Sequence, residues 1–157
     1  MTPHFDLDLM QKGQSLSELT ARILRGLKPV LDEFRSECVL VHGDTTTSFA
    51  AALGAFYEGI PEGHVEAELR TRNVLAPWPE KANRRLTSVL TKFHFAPTDQ
   101  ANRNLLAEGV NDSCIIVTGN TVIDALLSVV ARLERDPMLA SAMAARFPFL
   151  VFRLVNS

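Results

Sequence analysis

The sequence holds only two cysteines in 157 residues, and no CxxC or comparable spacing relates Cys38 to Cys114. A disulfide framework or a zinc site is therefore the weaker reading, and each cysteine, lying in an apolar strand-like run, is expected to be a small buried hydrophobe. Nor does charge of one sign predominate, with 16 basic and 18 acidic residues. A net charge of −2 without a basic stripe gives no electrostatic case for nucleic acid. No apolar run approaches the length of a membrane span. The opening MTPHFDLDLMQKGQS lacks the basic-then-apolar order of a signal peptide, so the default compartment is the cytoplasm. Internal repeats, low-complexity tracts and a G-x-G-x-x-G stretch are absent. What is present is a 46% hydrophobic fraction, enough for one globular domain with a real core.

Periodicity organises the rest. Ser15-Leu16-Ser17-Glu18 has the form of a capping box, and Leu16, Leu19, Ile23, Leu27, Val30, Leu31 and Phe34 follow at helical spacing. The spacing predicts a helix over about 15–35, with Pro29 as a kink or break. CVLVHGD reads as a short buried strand, Thr45 to Tyr57 as an Ala-rich helix, and Gly63 to Leu69 as a second strand. After the two-proline loop RTRNVLAPWP come a helix over Glu80 to Thr91, the strand KFHFAP, a helix over Asp99 to Glu108, the strand CIIVTGN, and a helix over Thr121 to Leu133. Alternating strands and helices imply an α/β fold, a Rossmann-like parallel sheet flanked by helices. We divide the chain into a domain over 1–135 and a helical segment with a divergent apolar tail over 136–157.

In such sheets ligands lie beyond the carboxyl ends of the strands. Two strand ends carry similar pairs, His42-x-Asp44 and His64-x-Glu66, and Glu80, Asn83 and Arg84 share one face of the next helix. Three acids, two histidines and an arginine are thus expected at one rim, where neighbouring carboxylates raise each other's pKa and suit proton transfer. The plainer readings are that Asp44 is the N-cap of the helix after it, that Glu80 complements a helix dipole, that His64 is a hydrogen-bonded strand-end residue, that His94 is structural, and that Trp78 packs. The H-x-D and H-x-E pairs also admit zinc or manganese in a metal-dependent hydrolase, which ranks below the metal-free reading.

The blocks VLVHGDTTTSFAAALGAFYEGIPEGHVEAELRT, PWPEKANRRLTSVL, HFAPTDQANRNLL and TGNTVIDALL, in series, resemble the non-hydrolysing UDP-N-acetylglucosamine 2-epimerases. The likeness runs from about Phe5 to about Phe149. It implies the partial N-terminal domain of a GT-B type fold, two Rossmann-like domains with substrate between them. It also implies interconversion of UDP-GlcNAc and UDP-ManNAc for cell-surface polysaccharides, without cofactor or metal, by a homodimer built through first-domain helices. By motif, Asp44, Glu66 and Glu80 match the catalytic acids, and Arg84, with Asn83 and His42, orients or binds. Gln14 lies where some relatives contact a second, activating UDP-GlcNAc, a control not expected here because Gly13 replaces their arginine. The family's first strand, with its GTRPE loop, and its UDP-binding second domain are expected to lie outside this sequence, so the chain alone is expected to be inactive, or a silent remnant pairing with an intact epimerase. Three positions depart from the family pattern: Glu68 replaces a glycine, Lys81 a glutamate, and Glu62 a small apolar residue. Arg72 is expected to offset the added charge at Glu68.

Overall fold

The computed structural model describes residues 3–68 and 77–147, which fall in two units, Met1–Gly119 and Asn120–Ser157. Unit one opens with helix α1 (Leu16–Phe34), then alternates β1 (Val39–His42), α2 (Thr46–Tyr57), β2 (Glu62–Val65), α3 (Glu80–Leu90), β3 (Phe93–Ala96), α4 (Asp99–Ala107) and β4 (Ile115–Val117). The strands pair in parallel in the order β1-β2-β3-β4. A sheet that grows one way through right-handed crossovers carries its connecting helices on one face. The register sets which residues meet them: Val41, His64, His94 and Ile115 lie side by side on that face.

Small side chains let the layers approach. Leu19 and Ile23 of α1 pack on Ala50 of α2, while Ala67, Ala96, Ala101 and Leu105 form a second core cluster flanked by Val110 and Ile115. Among these apolar residues lies a buried polar group: Glu62 is 2% exposed, His64 0%, Thr87 0% and His94 2%. His94, expected to be structural, is among these buried residues. On the other face of the sheet, Leu40, Gly63 and Phe93 lie side by side, as do His42, Val65, Phe95 and Ile116. Leu40 and Ile116 are exposed. A Cβ at Gly63 would come within 2.6 Å of Leu40 Cδ2 and 2.8 Å of Phe95 Cε2. Exposed Leu40 can turn away, but the Phe95 ring has less room. We expect Gly63→Ala to cost about 1–2 kcal/mol, read as a lower urea midpoint; an unchanged midpoint would mean that the ring moves freely.

Several local expectations need correction. Ser15 Oγ accepts the Glu18 N–H at 3.2 Å, but the Glu18 carboxylate takes Arg22 instead, at 2.7 Å, so only the forward half of the capping box forms. Pro29 neither breaks nor ends α1; its ring is on the solvent side. The second strand ends at Val65 rather than Leu69, because Glu66 turns into the left-handed region at φ 60°; Leu69 itself lies outside the described residues. Neither cysteine is a buried strand residue: Cys38 is exposed just before β1, and Cys114 is half-buried in a 3-10 turn, Asp112–Cys114. Trp78, expected to pack, is 63% exposed.

Unit two contains α5 (Thr121–Arg135) and α6 (Pro137–Arg146). Asn120 caps the first through its side-chain oxygen, which accepts from Val122 N–H at 3.0 Å and Ile123 N–H at 3.4 Å. Asp136 caps the second through Leu139 N–H at 3.0 Å, and Pro137 occupies the first turn, where its missing N–H has no cost.

Candidate functional site

The carboxyl ends of β1 and β2 and the amino ends of α2 and α3 meet at one rim. The two strands stay joined one residue past β1, Gly43 N–H donating to Val65 O at 3.1 Å. Gly43 then adopts φ +71°, a conformation cheap only for glycine, and the chain reverses into α2. Asp44 was the expected cap of α2. The structure gives that role to Thr45, whose hydroxyl accepts the Ser48 N–H at 3.1 Å. Asp44 is thereby released for another contact.

That contact is Arg84. Its Nη2 and Nε lie 2.8 Å and 3.3 Å from Asp44 Oδ2, and its Nη1 donates to the carbonyls of Glu66 at 3.2 Å and Glu68 at 3.1 Å. One guanidinium thus ties α3 to the ends of β1 and β2, using the planar fork that lysine lacks. Its neighbour Asn83, 7% exposed, donates to Asp44 O at 3.1 Å and Thr46 Oγ1 at 3.3 Å. His42 Nε2 lies 3.3 Å from Glu66 Oε1, which sets the imidazole directly against the carboxylate. Glu66 holds a left-handed backbone without being glycine, a strain of about 1 kcal/mol that tends to mark functional positions.

Asp44, Glu66, His42, Asn83 and Arg84 therefore converge. Glu80 opens α3 one turn before Arg84, yet its carboxylate makes no hydrogen bond or ion pair among the described residues. Gln14 does not join the cluster; its side chain closes its own turn, accepting from Gln11 N–H at 3.0 Å. His64 does not share a rim with His42 either. The register pairs His42 with Val65 and Val41 with His64, so the two histidines sit on opposite faces of the sheet, and the H-x-D and H-x-E pairs cannot supply one metal between them. Among the described residues no group of three or more potential ligands is placed to hold a metal. Glu68 is 9% exposed, and its backbone is not left-handed. Replacing the family's glycine therefore imposes no left-handed strain there. Arg72 lies outside the described residues.

A cleft of about 460 Å³ adjoins the rim, lined by Leu16, Thr20, Leu24, Thr46, Phe49 and Asn83. It gives space beside the cluster where helix amino ends, which favour anions, converge. Two residues of β2, Glu62 at its amino end and His64 nearer the rim, are strongly perturbed. Burial pushes the His64 imidazole down to about 4, leaving it neutral, and pushes the Glu62 carboxyl up to about 7. Reading the sequence missed Thr45 and Ser48 as builders of the turn, although the T-T-T-S run carried the signal.

Comparisons with known proteins agree on one family. The family model described as UDP-N-acetylglucosamine 2-epimerase matches residues 1–153. A curated UDP-N-acetylglucosamine 2-epimerase of Escherichia coli K12 is 55% identical over 150 residues, which are 96% of this chain and 40% of that relative. The crystal structure of UDP-GlcNAc 2-epimerase from Neisseria meningitidis bound to UDP-GlcNAc superposes with a TM-score of 0.89 at 52% identity, covering 96% of this chain and 40% of that one. The Methanocaldococcus jannaschii UDP-GlcNAc 2-epimerase in complex with UDP-GlcNAc and UDP gives 0.83 at 34% identity, over 92% and 39%. The chain spans about 40% of the length of the curated relatives it matches.

Proposed function

Because the chain belongs to the UDP-N-acetylglucosamine 2-epimerase family, we propose that it carries the first-domain half of a site that interconverts UDP-GlcNAc and UDP-ManNAc. The observation that carries this reading is the Arg84 fork, which gathers Asp44 and the backbone of Glu66 and Glu68 at the carboxyl ends of two parallel strands.

In the proposed reaction a base removes the proton at C2 of the sugar while the C1–O bond to UDP breaks, giving a 2-acetamidoglucal and free UDP. UDP then re-adds at C1, and an acid returns a proton to the opposite face of C2. Two proton-transfer groups on opposite faces suffice. Asp44 accepts two charge-assisted bonds on one oxygen, which fixes its carboxylate in place and suits it to holding the sugar. Glu66, whose carboxylate lies against the His42 imidazole, and Glu80, whose carboxylate Arg84 does not engage, are better fitted to the transfers. The same reading has a homodimer in the cytoplasm supplying ManNAc units for polysaccharide, with the rest of the cleft contributed by sequence outside the matched part of the relatives.

The test is a chimera in which this chain replaces the matching segment of the E. coli relative. We expect it to convert UDP-GlcNAc to UDP-ManNAc, and Glu66→Gln to slow turnover by about 10²-fold or more, the usual contribution of a general acid or base. A chimera that binds UDP-GlcNAc but is equally active with Glu66→Gln would remove Glu66 from the chemistry.

A further inference from the structure

Three consecutive carbonyls of the His42-Gly43-Asp44 turn each accept a hydrogen bond from a side chain on a different element. Ser48 Oγ of α2 donates to His42 O at 2.6 Å, His64 Nε2 of β2 to Gly43 O at 2.7 Å, and Asn83 Nδ2 of α3 to Asp44 O at 3.1 Å. The turn needs such anchors, because Gly43 at φ +71° has more conformations open to it than any other residue. We propose that His64 is a positioning residue for Asp44: it fixes the backbone of the turn from beneath, without touching substrate. The proposal rests on Asp44 belonging to the site.

The chemistry of the imidazole fits this task. A carbonyl can only accept, so Nε2 carries the proton. The ring is 0% exposed, and Nδ1 has no hydrogen-bond partner among the described residues, so the neutral Nε2–H form is the one the site admits. Burial reinforces this by penalising the cation. His64 is one residue from Val65, whose carbonyl accepts the Gly43 N–H, and two from Glu66. A single strand thus holds both sides of Gly43 and presents the second carboxylate. Without the Nε2–H, Gly43 O would lose this partner, and the turn would relax. A shift of about 1 Å in a positioned group can cost about 10²-fold in rate.

The test needs no substrate. His64→Phe keeps a buried ring without the donor, His64→Gln restores a donor, and Ser48→Ala removes the neighbouring anchor. In the wild-type chain the ring ¹⁵N resonances should show one protonated and one bare nitrogen. In His64→Phe, amide exchange at residues 43–46 should rise about tenfold, as one lost hydrogen bond allows, and the Asp44 carboxyl ¹³C and Arg84 Nε–H resonances should move. Amides of β3 should change by less than about twofold, since the opening is local, and His64→Gln should recover part of the effect. Equal acceleration in every element, or unmoved Asp44 and Arg84 resonances, would overturn the proposal. If His64→Phe does not fold, Ser48→Ala must give the same local opening, and its absence would count equally against the idea. Local opening in a chain whose chimera fails to turn over would uphold the positioning and discard the epimerase reading. In an active chimera, His64→Phe should lower kcat about tenfold or more with KM little changed, the split expected of a group that aims another.

Discussion

Glu62→Gln should stabilise the chain by about 3 kcal/mol at pH 8 and leave it nearly unchanged at pH 4. Glu62 is 2% exposed, its Oε1 has no hydrogen-bond partner among the described residues, and burial raises its carboxyl from 4.5 to about 7. A carboxyl raised in the folded state binds a proton that the unfolded chain has already released. Its contribution is therefore complete below pH 4.5 and is lost as the pH rises through about 7. His64 runs the other way. Its folded value, lowered from 6.5 to about 4, makes stability complete above 6.5 and progressively lost as the pH falls towards 4. His94, also lowered by burial, acts in the same sense. Between pH 4.5 and 6.5 the slopes of Glu62 and His64, each about 1.4 kcal/mol per pH unit, oppose one another. The wild-type curve should rise in this window only through His94, whereas that of Glu62→Gln should climb more steeply with pH. Urea midpoints across pH 4–8 decide it; parallel curves for the two proteins would show that the Glu62 carboxyl reaches water or a partner.

Removing Arg84 should have an effect of similar size. Its side chain is 16% exposed and that of Asp44 33%, so solvent screens the pair only in part. Arg84→Ala abandons the Asp44 carboxylate and leaves two carbonyls, of Glu66 and Glu68, without this donor. A loss of about 2–4 kcal/mol follows. Arg84→Lys should recover less than half of it, because an ammonium cannot span Asp44 Oδ2 and both carbonyls together. The double-mutant cycle with Asp44→Asn should give a coupling of about 1–2 kcal/mol, in the range for residues in one hydrogen-bonded network. Additive single effects would show that Arg84 acts on the two carbonyls alone.

The order of strands and helices was legible because each element announces itself locally: Ser15 before an apolar stripe, the Ala-rich α2, the short β-branched runs. Errors arose where the deciding neighbour is distant in sequence. DTTTS offers several adjacent caps, and only Arg84, forty residues on, selects Thr45 by taking the Asp44 side chain. His42-x-Asp44 and His64-x-Glu66 look alike as text, yet the pairing of Val41 with His64 exposes one imidazole and buries the other. The left-handed turn at Glu66 has no local signature at all, since glutamate is a residue that rarely adopts it. Cys38 sits beside a strand in sequence but just outside it in space, where the edge of the sheet leaves it exposed. The strand ends alone were enough to expect Asp44 and Glu66 at one rim, where Arg84 bonds the carboxylate of the first and the carbonyl of the second. The described residues place no bond between Glu80 and either of them.

The most direct measurement is deuterium incorporation at C2 of UDP-GlcNAc in D₂O, followed by NMR, with the chimera carrying this chain in place of the matching segment of the E. coli relative. If the rim of Asp44, Glu66 and Arg84 serves proton transfer at that carbon, deuterium appears at C2 of both UDP-GlcNAc and UDP-ManNAc, and incorporation falls with Glu66→Gln and Arg84→Ala. Conversion of one sugar to the other with protium retained at C2, or undiminished incorporation in both variants, would contradict it.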